Sequence, residues 1–390
     1  MASDLTGDVR VAYVSCNGQE HEDASVSTEE RNRMWRRLGE EHDHAPFSLM
    51  LHGGDQLYAD QVVQAHPTLA AWADADLEDK AGYDFTDEVR GAAERYLFQR
   101  YANLYSQPAI ARLLACIPSV MMWDDHDIID GWGSHPAELL DSPVGRGLFE
   151  VARRMFMAFQ MGTTEAPAAT GKSLTQWLSF PGFDVIAPDL RSERRPDRVM
   201  GPDGWAATED AVRRTPPPAR RLIMSSVPLL GPRLSWIERL IGVVPKLRRY
   251  EDDLRDQWQS RAHREEWRRF LTLLDQAAAK NGSAYTVLSG EIHLATRAEM
   301  ALDGGGTLHQ LVASGIAHPP PPEVYASGLG WLAKFGEDPL PDKPIRLRPL
   351  PGHKRVYVAE RNYLVIERTG TRWTASWELE DSGRTSPLDI

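Results

Sequence analysis

Short apolar runs typical of buried β-strands recur along the chain. They occupy residues 9–15, 47–52, 120–123, 183–187, 222–224 and 284–288. Stretches with helical spacing lie between them. One begins after the capping residue Thr86, one starts at Ser106 with Pro108 behind it, and one covers residues 261–280 and stops at Asn281-Gly282. The alternation of strands with helices predicts a layered α/β architecture.

The end of the chain has a different pattern from the rest. Residues 356–367 and 372–378 alternate apolar and polar side chains and flank Thr369-Gly370, which predicts a β-hairpin. We therefore expect a main domain in residues 1–350 and a hairpin in residues 351–390 packed onto the same domain. Residues 65–85 are polar, which predicts a segment that runs over the surface of the protein. Residues 196–221 predict a loop that folds over the site.

Composition and charge narrow the class of protein. The 390 residues are 42% hydrophobic and 26% charged, as in globular proteins. The net charge of -12 argues against nucleic-acid duplexes and anionic membranes as partners. No apolar run approaches the length of a membrane span, and the first residues lack the core of a signal peptide. With two cysteines and no disulfide framework, we expect a cytoplasmic protein.

The densest group of ionisable side chains follows the apolar run at residues 120–123. An imidazole there is surrounded by carboxylates, in the order Asp124, Asp125, His126, Asp127 and Asp130. So many carboxylates repel one another, and cations would neutralise them. The alternative is a solvated acidic turn with a capping aspartate.

Other predicted strands end in similar residues. Polar groups with ligand chemistry follow five of them: Cys16, Asp55 with Tyr58, Asp189 with Arg191, Ser225 with Ser226, and Glu291 with His293. In open α/β sheets, ligands bind beyond the carboxyl ends of the strands, where these side chains would gather. The recurrence therefore predicts a metal site, and weakens the acidic-turn alternative.

Four segments resemble the alkaline phosphatase D (PhoD-like) branch of the metallophosphoesterases, over about residues 9–322. In the family's order they are Ser15-Cys16, Gly54-Asp55-Gln56-Leu57-Tyr58, Asp124-Asp125-His126-Asp127 and Ser289-Gly290-Glu291-Ile292-His293. The resemblance implies a four-layer α/β/β/α sandwich with two mixed sheets face to face. Two departures stand out. Glu291 replaces the usual Asp, and Ser225-Ser226 stand where the superfamily has a histidine.

The resemblance implies two metal ions that activate a bound water and clamp the phosphoryl group. Asp55 is expected to bridge them. Cys16, Tyr58 and His293 would complete a site for Fe³⁺, or for Mn²⁺ or Zn²⁺, because thiolate and phenolate favour such ions. Asp125 and Glu291, as hard oxygen donors, would favour Ca²⁺, Mg²⁺ or Mn²⁺ at the second site.

Three further residues are candidates for catalysis. His126 matches the superfamily histidine that protonates the leaving group or binds phosphate. Asp130 would hydrogen-bond His126 or approach a metal. Arg191 would touch phosphate or form a structural ion pair.

Each of these assignments has a simpler alternative. Cys16 could be a small core residue, and Tyr58 a buried aromatic that binds a helix end. We expect Asp124 to orient His126 and Asp127 to cap the following turn. Ordinary core or loop roles are expected for the remaining candidates: Cys116, His52, His135, His309 and His318.

The predicted function is that of a binuclear phosphohydrolase acting on small phosphoesters, with phosphodiesters favoured over phosphomonoesters. Two other functions stay open. One is a non-catalytic metal-binding sensor or scaffold on the same fold. The other is a mononuclear hydrolase of a non-phosphate ester. The sequence leaves the oligomeric state and the physiological substrate open.

Overall fold

The computed structural model describes residues 5–18, 26–164, 171–214, 217–231, 256–332 and 337–390. Fifteen strands lie in these ranges: β1 (Val9–Val14), β2 (Leu49–Gly53), β3 (Ser119–Met122), β4 (Gln176–Phe180), β5 (Phe183–Ala187), β6 (Arg220–Met224), β7 (Ala284–Ser289), β8 (Thr296–Ala301), β9 (Thr307–Val312), β10 (Glu337–Leu340), β11 (Lys343–Arg348), β12 (Asn362–Thr369), β13 (Arg372–Leu379), β14 (Gly383–Arg384) and β15 (Leu388–Asp389).

The described α-helices are α1 (Thr28–Arg31), α2 (Arg33–His44), α3 (Pro67–Asp74), α4 (Asp87–Tyr105), α5 (Pro108–Cys116), α6 (Ala137–Leu140), α7 (Pro143–Phe159), α8 (Pro202–Arg213), α9 (Arg264–Asn281) and α10 (Glu323–Leu332). Three short 3-10 helices cover Asp60–Gln64, Leu77–Gly82 and Asp125–Asp127. Within these ranges, no helix has both the length and the apolar character to span a bilayer.

The strands form two mixed sheets. In the first, of seven strands, β1, β2 and β3 are parallel, and β12 and β13 continue the sheet antiparallel beyond β1. In the second, of eight strands, β5, β6, β7 and β9 are parallel, with antiparallel strands at both edges. The hairpin predicted at the end of the chain is therefore formed by β12 and β13, and β12 pairs directly with β1.

The alternation of side chains along β1 shows how the layers are built. Val9, Val11 and Tyr13 lie in a buried cluster that includes residues of both sheets. Ala12 and Val14 point to the opposite face, since successive strand residues alternate, and pack with residues of α2 and α5. On the other side, the second sheet packs against α8 and α9. This is the predicted four-layer α/β/β/α sandwich with two mixed sheets.

A helical region lies beside the sandwich. Its buried cluster joins α3, α4 and α7, and includes Trp123 and Trp132 from the segment after β3. Apolar burial contributes about 1.5–3 kcal/mol for each large side chain. The acidic segment that begins at Asp124 therefore lies between the end of β3 and a packed helical cluster, which holds its backbone in place.

Several sequence predictions of local structure need correction. Ser106 ends α4, and Gln107 precedes Pro108 as the capping residue of α5. Cys116 is exposed, because Ile117 takes the buried position at the end of α5.

Two predicted loops also contain helices. Residues 65–85 contain α3, whose Leu69 and Trp72 are buried. Contrary to the prediction, this region therefore does not simply run over the surface. Residues 196–221 contain α8, whose Pro202 suits the first turn of a helix. Residues 215 and 216 of that predicted loop lie outside the described ranges.

Candidate metal centre

The predicted site residues gather where the strands of both sheets end. Cys16 follows β1, Asp55 follows β2, Asp125 follows β3, and His293 follows β7. Backbone hydrogen bonds hold these strand ends together: Cys16 N–H donates to the Gly54 carbonyl at 3.2 Å. The parallel arrangement brings together side chains that are far apart in the sequence.

Two groups of donor atoms in the described part of the chain are close enough to hold metal ions. The first group is Cys16, Asp55 and His293, and the second is Asp55, Asp125 and His126. Within each group, all ligand atoms lie within 4.8 Å of one another. Asp55 belongs to both groups, which is the geometry required of a bridging carboxylate.

Tyr58 adds a phenol oxygen beside the first group. Its Oη lies 3.0 Å from Nε2 of His293. Two atoms that bind one ion at about 2 Å each are themselves about 3 Å apart when the angle between them is near 90°. The position of Tyr58 therefore suits a ligand of the same ion as His293.

The backbone at the proposed ligands is held in an uncommon conformation. Cys16, Asp55, Glu291 and His293 have positive φ angles, of 54°, 54°, 65° and 52°. A non-glycine residue in this region costs on the order of 1–3 kcal/mol and persists only where the surroundings impose it. Such strain concentrates at functional sites, and here it falls on four of the six predicted metal ligands.

The electrostatics of the centre are those of a site that needs cations. Burial raises the pKa of the Asp55 carboxyl well above its ordinary value, and the neighbouring Asp124 raises it further. Burial and the charge of Asp55 also raise the pKa values of Cys16 and Tyr58. Oδ1 of Asp55 is buried and has no hydrogen-bond partner in the part of the chain that the structure describes. Metal ions would reverse these shifts and pair with this oxygen, so the donor set fits them.

His126 is placed for acid–base chemistry by residues on either side of its ring. Its Nδ1 lies 3.0 Å from Oδ2 of Asp60, and its Nε2 lies 3.9 Å from Oδ1 of Asp130. Burial lowers the pKa of His126, but Asp60 and Asp125 outweigh burial and raise it well above the ordinary value. The ring also stacks on Tyr58, with 4.2 Å between ring centroids.

Asp60 is a residue that the sequence reasoning missed. Besides holding His126, its Oδ1 accepts a hydrogen bond from the backbone N–H of Asp130. A signal was available, because Asp60 stands two residues after Tyr58 in the same strand-end segment. The carboxylate of Asp130, with 71% of its side chain exposed, lies at the rim of the site.

Arg191 lies beneath the centre and is fully buried. Its guanidinium pairs with three carboxylates: Asp256 at 2.6 Å, Asp125 at 3.4 Å, and Asp124. This is the geometry of a structural ion pair, the second of the two predicted roles, because the guanidinium has no exposed surface to offer a substrate.

The other two aspartates of the acidic segment have structural partners. Asp124 accepts hydrogen bonds from Arg191 and from Oγ of Ser226 at 2.7 Å, so it does not orient His126 as expected. Asp127 forms a reciprocal capping box with Asp124 at the 3-10 helix Asp125–Asp127. It therefore accepts a hydrogen bond from the backbone before it and does not cap the following turn as expected.

Glu291 lies next to the centre but in neither ligand group of the described residues. Its Oε2 accepts a hydrogen bond from Nε2 of Gln257 at 2.7 Å. Its backbone also forms a hydrogen bond with the thiol of Cys16. The longer side chain thus carries its carboxylate toward Gln257, while its backbone supports the first group.

Comparisons with known proteins show the family and the fold of this chain. The family model described as PhoD related phosphatase matches residues 8–250. Uncharacterized protein YGR266W of Saccharomyces cerevisiae is 26% identical over 358 residues, covering 75% of this chain and 50% of that protein. The chain thus spans about half the length of this curated relative. A solved structure of PhoD superposes with a TM-score of 0.61 at 13% identity, covering 98% of this chain and 68% of that one, which shows a shared fold. The chain belongs to the family of PhoD related phosphatases.

Proposed function

We propose that this chain is a binuclear metal-dependent phosphohydrolase that cleaves phosphodiesters or phosphomonoesters. The observation that carries the proposal is the position of Asp55, which belongs to both ligand groups and has a buried oxygen that finds no hydrogen-bond partner among the described residues. Family membership supports the phosphoester substrate class.

We assign the residues around Asp55 to two ions. Cys16, Tyr58 and His293 would hold one ion with Asp55, and their thiolate, phenolate and imidazole favour Fe³⁺, Mn²⁺ or Zn²⁺. Asp125 would hold the other with Asp55, and its hard oxygen favours Ca²⁺, Mg²⁺ or Mn²⁺. Glu291 stays a candidate for the second ion. When bound, the ions supply an activated nucleophile at neutral pH and neutralise charge on the phosphoryl oxygens.

The protein's own contribution to turnover is proton transfer and positioning. Asp60 holds Nδ1 of His126, which leaves Nε2 of His126 to protonate the leaving oxygen of the substrate. Arg191 keeps Asp124 and Asp125 in place through its buried ion pairs. Asp130 lies at the rim of the site, close enough to Nε2 of His126 to influence the charge of the imidazole.

The two cysteines of the chain provide a matched test of the proposal. Cys16→Ser removes the proposed thiolate, whereas Cys116→Ser changes an exposed residue on α5. The unaltered protein and the Cys116→Ser protein should hold two equivalents of metal and hydrolyse nitrophenyl phosphoesters. The Cys16→Ser protein should lose one equivalent and most of its activity.

Other outcomes of the same measurement would contradict the proposal. Two bound ions without hydrolysis of any phosphoester in a panel of monoesters and diesters would favour a sensor or scaffold. A single equivalent of metal in the active protein would favour a mononuclear hydrolase.

A further inference from the structure

We infer that His318 is a positioning residue of the metal centre, because its ring stacks on His293 and fixes the orientation of that ligand. The inference rests on the proposed function. The sequence reasoning placed His318 among ordinary loop or core histidines, and neither of the two ligand groups includes it.

The turn that carries His318 is fastened to the end of β1. The backbone N–H of Ile316 donates to the Ser15 carbonyl at 3.0 Å, and that of His318 donates to the Cys16 carbonyl at 3.1 Å. Gly315 has φ +84°, and a Cβ there would lie 2.8 Å from the carbonyl oxygen of His318. The turn therefore requires glycine and has little room to move relative to Cys16.

The side chain of His318 is fixed as firmly as its backbone. Nδ1 lies 2.8 Å from the carbonyl of Pro319, and must donate its proton to that oxygen. The ring centroid lies 3.6 Å from that of His293, with 18° between the planes. It lies 5.5 Å from the ring of Tyr58, with 19° between the planes. His318 thus covers the faces of two proposed ligands of one ion.

His293 needs such support. A metal-binding histidine is normally oriented by a hydrogen bond from its second ring nitrogen to a carboxylate, a carbonyl or a water. Nε2 of His293 faces Oη of Tyr58, and Nδ1 has no protein hydrogen-bond partner in the ranges that the structure describes. The backbone N–H of His293 donates to Oγ of Ser314 at 2.8 Å. The stacked imidazole of His318 lies against one face of the His293 ring and restricts its rotation.

Substitutions at His318 separate stacking from nitrogen chemistry. His318→Ala removes the ring, His318→Phe keeps a flat ring without nitrogen, and His318→Gln keeps polarity without a ring. The probe is Zn²⁺ alone, and the readout is the number of bound equivalents and their rate of release to a chromogenic chelator. Loss of an orienting group weakens metal affinity by about 10–100-fold, so His318→Ala should release one equivalent correspondingly faster.

If stacking is the role of the ring, the His318→Phe protein should release Zn²⁺ at nearly the same rate as the unaltered protein. The His318→Gln protein should release Zn²⁺ as fast as the His318→Ala protein. His353→Ala, outside the centre, is the control and should leave Zn²⁺ release unchanged. If the His318→Ala protein fails to fold, comparing the rates of Zn²⁺ release from the His318→Phe and His318→Gln proteins tests the same inference.

The inference is overturned if the His318→Ala protein binds and releases Zn²⁺ like the unaltered protein. It is also overturned if His318→Phe speeds Zn²⁺ release as much as His318→Ala, since a ring nitrogen would then be needed. Both results are distinct from failure of the proposed function, in which the unaltered chain itself binds no Zn²⁺.

Discussion

His126 shows at the scale of a single residue how the fold prepares a proton donor. Asp60 lies at its Nδ1, Asp130 lies near its Nε2, and Tyr58 stacks on its ring. Because the neighbouring carboxylates outweigh the effect of burial, the pKa of His126 is raised well above its ordinary value. A charged imidazole with one nitrogen held by the protein can give its other proton to a leaving alkoxide.

The change His126→Ala tests this role. A general acid matters most for poor leaving groups, so turnover of an alkyl phosphoester should fall by about 10²–10⁴-fold. Turnover of a nitrophenyl ester should fall far less, and both metals should remain. Steady-state rates on the two substrates and a metal assay check this. Equal losses on both substrates would mean that His126 binds phosphate, and loss of metal would mean that it belongs to the ligand shell.

At the scale of elements, the candidate ligands lie at the ends of strands, and the outer helices hold the sheets in place by packing against them. Helix α9 illustrates this packing. Trp267, Phe270 and Leu271 are buried in the same cluster as the strands of the second sheet. The helix ends at Gly282, whose φ of 67° lies in the left-handed region, and whose N–H donates to the Ala278 carbonyl.

Gly282→Ala should therefore destabilise the protein through the backbone alone. A Cβ at Gly282 would meet no atom of the described residues within 4 Å, so the cost is that of left-handed backbone in a non-glycine residue, roughly 1–2 kcal/mol. Gly82→Ala is the matched control, since Gly82 is equally open but lacks a positive φ. Urea unfolding of the two variants measures the difference. Equal stability of the two proteins would show that the end of α9 does not depend on glycine.

The elements also show what could be predicted from the sequence. Apolar runs and caps located β1, β2 and β3, the helix begun by Thr86 and the stop at Gly282, because these signals are local. The strand-end motifs likewise placed Asp55 among the candidate ligands, and among the described residues it belongs to both ligand groups. Contacts made by side chains from distant loops could not be predicted this way. His318 meets His293 only because the turn after β9 is fastened to the end of β1.

At the scale of the whole molecule, one buried network ties the two sheets together below the site. Asp124 follows β3 in the first sheet, and Arg191 follows β5 in the second. Asp256 pairs with both Arg191 and Arg194. A buried guanidinium thus compensates carboxylates from both sides of the sandwich, so that the metal centre and the packing of the sheets depend on the same residue.

Arg191→Ala should accordingly cost about 3–5 kcal/mol of unfolding free energy, because it leaves buried carboxylates without a cation. The control is Arg372→Ala, which breaks an exposed ion pair with Asp389 and should cost about 1 kcal/mol or less. Chemical denaturation of both proteins gives the comparison. A loss of activity on Arg191→Ala with unchanged stability would instead place Arg191 in contact with the substrate.

If Asp55 bridges two metal ions, metal analysis of the Asp55→Asn protein will reveal it. An amide is a poor bridging ligand, so this protein should lose at least one equivalent of metal and nearly all turnover. Asp79→Asn, a change at an exposed position, should keep both. Two equivalents of metal with full turnover in the Asp55→Asn protein would show that Asp55 is not a bridging ligand.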